Sequence, residues 1–400
     1  MNKESNESHL RNLLQLKIGR QIIIGGLVNR ASYSGLILVT FLFVQHKVVS
    51  FSIVGLIMGS ITLGLAMGRL LQGLMADRIG FKNLLLLCGV FHFVVVIGFT
   101  FLLRNVSFLL PLASVAVLLG LSAPATSPIT RAMWANVVPK SNLKSAQLLE
   151  STINEVACMI GPAIAGIGCL IISLDSMMLV MGGLVSTGAC ILGLSKAAEK
   201  WRRIRHSSGS HFLKSLSPII LLGLTAGIAG GLIEVAVPAF AINSGSPLSS
   251  GFLLTCWGIG SSLGGFAMMT LGVKVPIKIR MRVSVLILGA TAYLMSMSNS
   301  IEMLAFLVFL HGLPAAPAWS TLYSLADQRN IKIRETEKYS WILAVSTAGV
   351  ALGNYLGGNI ISIWGVAFSF IGGGSILMII FFLIKPVFNS EKLNVLDHAG

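Results

Sequence analysis

Four ionisable residues sit where a polypeptide seldom places them. Arg30, Glu155, Glu234 and His311 each fall inside a long apolar run. Ionised groups at depth in an apolar medium are costly and usually carry function. A buried carboxyl can take up a proton and return it, and histidine can do the same near neutral pH. An arginine can balance a carboxylate or hold an anion. These types therefore support reversible binding of ions or protons. For each residue a plainer reading stays open: a static ion pair for Arg30 and Glu155, exposure near a surface for Glu234, a polar packing contact for His311. No Ser-His-Asp set, phosphate loop or metal-ligand cluster appears, so neither an enzyme nor a cofactor is expected. The five cysteines, Cys88, Cys158, Cys169, Cys190 and Cys256, lie in apolar runs without a CxxC partner. They read as small buried residues. His92 reads as peripheral and receives no role.

The elements that must position these groups are set by composition. Of 400 residues, 54% are apolar and 11% are Asp, Glu, Lys or Arg, against about 25% charged in a soluble domain. A lipid bilayer is the surrounding this implies. Taking about 20 apolar residues per crossing, twelve spans emerge: 22–44, 50–73, 83–103, 107–130, 146–171, 177–195, 216–241, 249–272, 283–298, 302–325, 340–362 and 365–384. The polar, basic residues 1–21 lack the features of a cleavable signal. Of 29 Lys and Arg, 26 fall on one side of the spans if both termini are cytoplasmic, leaving Lys47 and Arg104 outside and Arg30 within span 1. That asymmetry orients the chain. It also accounts for the net charge of +15 without a nucleic-acid partner.

The polar stretch 195–214 divides the spans six and six. The expected domains are a cytoplasmic tail at 1–21, a six-helix bundle at 22–195, a cytoplasmic linker at 196–215, a second bundle at 216–385 and a cytoplasmic tail at 386–400. An all-α membrane protein with two pseudo-symmetric halves follows. Shifting the sequence by 192 without a gap sets nine of the twenty glycines in residues 1–200 on glycine, among them Gly35 on Gly227, Gly68 on Gly260, Gly120 on Gly312 and Gly161 on Gly353. Matched glycines imply matched close packing of helices.

The most charged tight turn among the first spans is "GLMADRIGFKN", residues 73–83. It resembles the signature of the major facilitator superfamily, G-x-L-A-D-R-x-G-R-K, through Gly73, Asp77, Arg78, Gly80 and Lys82. Met75 and Phe81 depart from it. Gly80 permits a tight turn and Gly73 a close helix neighbour. The resemblance implies that Asp77 meets the N-terminus of span 11 near Ser340, forming a conformational latch on the cytoplasmic side. Arg78 and Lys82 would pair with acids or lipid phosphates. In the second half "GFAMMTLGVKV" keeps Gly265, Gly272 and Lys274, with Met269 and Thr270 at the Asp77 and Arg78 positions.

Gly161, Pro162 and Gly166 in span 5 resemble the G-P-x-x-G-G element of proton-coupled exporters in that superfamily. Ala116 stands where such members carry an arginine before Gly120. Family architecture implies a cavity between spans 1, 4, 7 and 10, with span 5 beside span 1, so that Arg30 and Glu155 face each other. Pro124, Pro128, Pro314 and Pro317 imply broken cavity helices. The function implied is a drug-efflux-like transporter of the inner (plasma) membrane, exporting small organic molecules by proton antiport and working as a monomer. Glu155, Arg30 and Glu234 are the proton-coupling candidates. Arg30, Glu234 and His311 are the substrate-cavity candidates. The alternative is a facilitator or proton symporter that imports a metabolite.

Overall fold

Long runs of apolar residues with no water to bond their backbone can be satisfied only within helices or closed barrels. The chain takes the helical solution. The computed structural model describes residues 17–48, 50–104, 109–199, 212–271, 275–328 and 335–396, and among them no residue is in a strand. The helices are α1 (Lys17–Val48), α2 (Phe51–Arg104), α3 (Leu109–Ser122), α4 (Thr126–Val137), α5 (Lys140–Ile171), α6 (Leu174–Gly193), α7 (Lys196–Glu199), α8 (Phe212–Asn243), α9 (Ser249–Leu271), α10 (Ile277–Met295), α11 (Ile301–Gly312), α12 (Ala315–Gln328), α13 (Glu335–Trp364) and α14 (Val366–Leu396). Residues 1–16 and most of the 196–215 linker lie outside the described residues. The segment 386–396, expected as a tail, continues α14.

All twelve expected spans fall largely on helix. Nine stretches among the described residues are long and apolar enough to cross a membrane. The first nine residues of α10 carry Lys278, Arg280 and Arg282, and the apolar part of α14 is the shorter stretch Val366–Phe382. α2 supplies two of the nine, Phe51–Ala76 and Arg78–Arg104. Gly80 separates them, with φ 77° and ψ 162°. Only glycine adopts that region without strain, so the signature turn is where one helix becomes two. Span 4 is broken into α3 and α4 at Pro124, and span 10 into α11 and α12 at Pro314.

The chain folds as two compact units. One holds residues 1–49, 60–207 and 250–255, the other 50–59, 208–249 and 256–400. The opening turns of α2 group with the second unit and the first turn of α9 with the first. Within the second unit Gly55 approaches α13, where an added Cβ would lie 2.6 Å from the Asn354 carbonyl oxygen. Within the first, a Cβ on Gly251 would lie 2.7 Å from the Pro162 carbonyl oxygen on α5.

Close glycine contacts give the register of the internal repeat. Gly64 packs on Val117, Gly68 on Leu121 and Gly120 on Ile61; in the second unit Gly260 packs on Phe309, Gly264 on Leu313 and Gly312 on Trp257. α3 therefore matches α11 at the expected shift of 192, whereas α2 matches α9 at 196. Likewise Gly26 lies near Thr130 and Gly223 near Leu322, while Gly161 meets Ala31 and Gly353 meets Ile228, so α1 matches α8 at 197. The gap-free shift is one helical turn out in α1 and α2. Carried along α2, the packing register sets Pro276 and Lys278 opposite Gly80 and Lys82. Pro276 is the N-cap of α10.

Candidate functional site

Arg30 is the deepest cation of the first unit, only 7% exposed on α1. Its ion-pair partner is a carboxylate of α5, but it is Glu150, not the expected Glu155. The reason is where α5 begins. The helix starts at Lys140 rather than 146, which places Glu150 ten residues into it, about 15 Å along at 1.5 Å per residue. Glu150 is 2% exposed. Glu155 lies further along α5 and is half-buried.

α4 completes the cluster. Arg30 Nη2 donates to Thr130 Oγ1 at 2.6 Å and to Glu150 Oε1. Thr130 also meets Glu150 Oε1, and Trp134 Nε1 donates to Glu150 Oε2 at 3.1 Å. Thr130 and Trp134 stand four apart on α4 and so share a face. One turn towards the helix start, Thr126 Oγ1 donates to Asn29 Oδ1 at 2.8 Å, and Asn29 Nδ2 donates to the Val185 carbonyl at 2.8 Å. Three helices thus surround one buried ion pair with four uncharged polar side chains. Both carboxylate oxygens of Glu150 have protein donors. Arg30 Nε and Nη1, in contrast, are buried without a hydrogen-bond partner among the described residues.

Gly161 lets α5 approach α1 closely enough for this. A Cβ there would stand 1.9 Å from Ser34 Oγ and 2.2 Å from the Ala31 carbonyl oxygen. Pro162 lies inside α5, and Gly166 is where Gly251 packs. The break between α3 and α4 is held by Gln72. Its Nε2 donates to the carbonyls of Leu121 (3.2 Å) and Ala123 (2.8 Å), and its Oε1 accepts from the Ala125 amide at 2.8 Å.

The remaining expected residues lie apart from this cluster. Glu234 is half-buried on α8, in the second unit. His311 on α11 is buried, hydrogen-bonded through Nδ1 to Thr291 Oγ1 at 2.8 Å, and edge-on to Trp257 at 5.4 Å. His92 is not peripheral: it is fully buried and its Nδ1 bonds Ser122 Oγ at 3.0 Å. Of the signature turn, Gly73 and Gly80 have open space around them, and Arg78 is exposed. Lys82 Nζ reaches Glu199 Oε1 of α7 at 2.9 Å. That ammonium holds the exposed Glu199 carboxyl below the usual carboxylate range. The Asp77 side chain and Ser340, the residues of the expected latch, lie outside the described side chains.

Sequence reasoning passed over Glu150 and Thr130, and read Trp134 only as an interface-belt or cavity-wall residue. The signal available for Glu150 was its place at the start of a span whose helix could extend towards Lys140.

The Major Facilitator Superfamily family model matches residues 22–220. No curated protein sequence matches the chain. Among solved structures it is similar to a mutant form of the nucleoside transporter NupG, at 9% identity, TM-score 0.76, covering 93% of this chain and 100% of that one. It is also similar to a POT family transporter bound to 5-aminolevulinic acid (14% identity, TM-score 0.72, 94% and 95% covered) and to the human organic anion transporter MFSD10 (14%, TM-score 0.66, 92% and 100%). At these identities the likeness shows a shared fold. The family match spans just under half of the chain, so the chain resembles major facilitator transporters in that part of its sequence and in its fold, and its apolar helices make it a multi-pass membrane protein.

Proposed function

We propose that the chain is a proton-coupled secondary transporter that exports small organic molecules by alternating access, as a monomer in the plasma (inner) membrane. Both termini and the 196–215 linker are assigned to the cytoplasm by the charge asymmetry. The observation that carries the reading is the ion pair Arg30–Glu150, buried in an apolar helical unit. A buried pair is seldom worth its desolvation to the fold alone, and in lipid such groups mark ion or proton pathways. Protonation of Glu150 would neutralise it and release Arg30. If water reaches the cluster from alternate sides, that exchange links proton to cargo. Glu155, further along α5, and Glu234, in the other unit, are the reserve proton sites, with His311 as a cavity candidate. Export is supported by the Gly161, Pro162 and Gly166 element. Small organic cargo agrees with what the similar structures' names give for those proteins.

One observation favours the second reading, an importing symporter. Among the described residues Arg30 retains donors without a partner, whereas both oxygens of Glu150 already accept a hydrogen bond. A cargo that accepts from Arg30 would compete with Glu150 and leave that carboxyl to take a proton in the same step. Gradient-driven flux in proteoliposomes decides between the readings by its direction. In either case Glu150→Gln should abolish the effect of the pH gradient and leave exchange of cargo intact. Retention of gradient-driven flux would move the proton to Glu155 or Glu234.

The latch at Gly73, Asp77, Arg78, Gly80 and Lys82 is a separate part of the proposal. Asp77→Asn should leave expression intact, lower transport sharply and raise labelling of inward-facing cysteines. An unchanged transport rate would reduce the motif to topological charge.

A further inference from the structure

The cluster around Arg30 is unbalanced in hydrogen bonding, and the imbalance has a sign. Glu150 accepts from Arg30 and Thr130 at Oε1 and from Trp134 at Oε2. Thr130 Oγ1 lies within bonding distance of the Thr126 carbonyl, and the Asn29 amide is matched at both ends. What is left over is donors: one N–H on Nε and two on Nη1 of a side chain more than nine-tenths buried. Buried donors without acceptors are costly, and a guanidinium is the side chain best shaped to hold an oxyanion.

We infer that Arg30 is the cargo-recognising residue and that the cargo is a small organic carboxylate, accepted at Nε and Nη1. A cationic cargo would meet the like charge of the guanidinium and offer nothing to its unpaired donors. A dianion such as phosphate would bring two negative charges to a group whose one cation already faces Glu150, and the excess would be desolvated uncompensated. A monoanion matches the donors, and a proton taken up by Glu150 would leave the cluster neutral. This inference rests on the reading of the cluster as the transport site, but it concerns binding alone.

Thermal melting of the purified full chain in detergent tests it, with matched probes sharing one body: benzoate, 4-phenylbutyrate and indole-3-acetate, each beside its amide and the corresponding amine. The carboxylates should raise the melting temperature by a few degrees, and the amides and amines should not. Arg30→Lys, which keeps the charge and loses the planar donors, should weaken the response about tenfold. Glu150→Gln, which removes the competing negative charge, should strengthen it about tenfold. That gain is the opposite of what damage to the fold would produce. If Arg30→Lys does not fold, the uncharged double variant Arg30→Met with Glu150→Leu replaces it and should give no shift. Amines or amides that stabilise as well as the acids, acids that stabilise the double variant, or acids that stabilise nothing would each overturn the inference. No gradient exists in detergent. A chain that binds carboxylates yet transports indifferently to pH would therefore sink the coupling and leave the recognition standing.

Discussion

The same place in the two halves of the repeat is built from opposite chemistry. In the first unit Arg30, Thr130, Trp134 and Glu150 meet between α1, α4 and α5. At the registers set by packing, their counterparts are Gly227, Leu322, Ala326 and Ile342, of which the last three are buried apolar residues. Helix packing at the two places is otherwise alike, down to Gly161 on Ala31 and Gly353 on Ile228. The fold can therefore be made at this position without an ion pair.

The largest effect should come from splitting the pair. Glu150→Leu leaves a buried guanidinium unmatched and should cost about 3–5 kcal/mol, read as a lowered melting temperature. Ile342→Val, at the apolar counterpart, should cost only about 0.5–1.5 kcal/mol. Equal losses would erase the distinction between the halves. The shared feature should respond alike in both. Gly161→Ala and Gly353→Ala would each drive a Cβ to 2.2 Å from a carbonyl oxygen, of Ala31 and of Ile228. Each should cost about 1–3 kcal/mol, and a tolerated change in one half alone would show that the packing differs after all.

The broken helices sharpen the contrast further. Gln72 bonds across the α3–α4 break, and its counterpart Met268 has no such capacity beside the α11–α12 break. Gln72→Leu should destabilise by about 1–3 kcal/mol through the unmatched Ala125 amide, and Met268→Leu by less than about 1.5 kcal/mol. Smallest is the exposed Lys82–Glu199 pair. Lys82→Ala should leave the melting temperature unchanged within error at neutral pH. Because Lys82 depresses the Glu199 carboxyl, whatever the pair adds is present above the usual carboxylate range. It is lost as the pH falls through the lowered value. A difference between Lys82→Ala and wild type that grew at acid pH would contradict this.

Much of this was legible in the sequence. Arg30 stood out because a lone charge in an apolar run is conspicuous, and Gly80 because a turn of that charge and length needs a residue free to take positive φ. Glu150 did not, because the apolar count of span 5 began at 146 and put the acid at an edge, whereas α5 draws its first turns from the polar residues 140–145. Thr130 and Trp134 carry no charge and vanish into hydropathy. The repeat was visible but misregistered in part. Gly64 and Gly68 of α2 stand four apart, as do Gly260 and Gly264 of α9, so Gly68 falls on glycine at a shift of 192 and again at 196. A slip of one helical turn is invisible to glycine matching, and close packing resolves it.

The measurement that bears most directly on the account is gradient-driven flux by the double variant Arg30→Met with Glu150→Leu. It should be made in proteoliposomes with whichever organic solute stabilises the wild-type chain, on protein shown by melting to be folded. Replacing a buried pair by apolar groups is often neutral or stabilising, and the second half has already made that exchange. The account predicts a variant that melts at or above the wild-type temperature and shows no flux driven by the pH gradient. A folded variant that transports at the wild-type rate, or one that cannot fold, would contradict it.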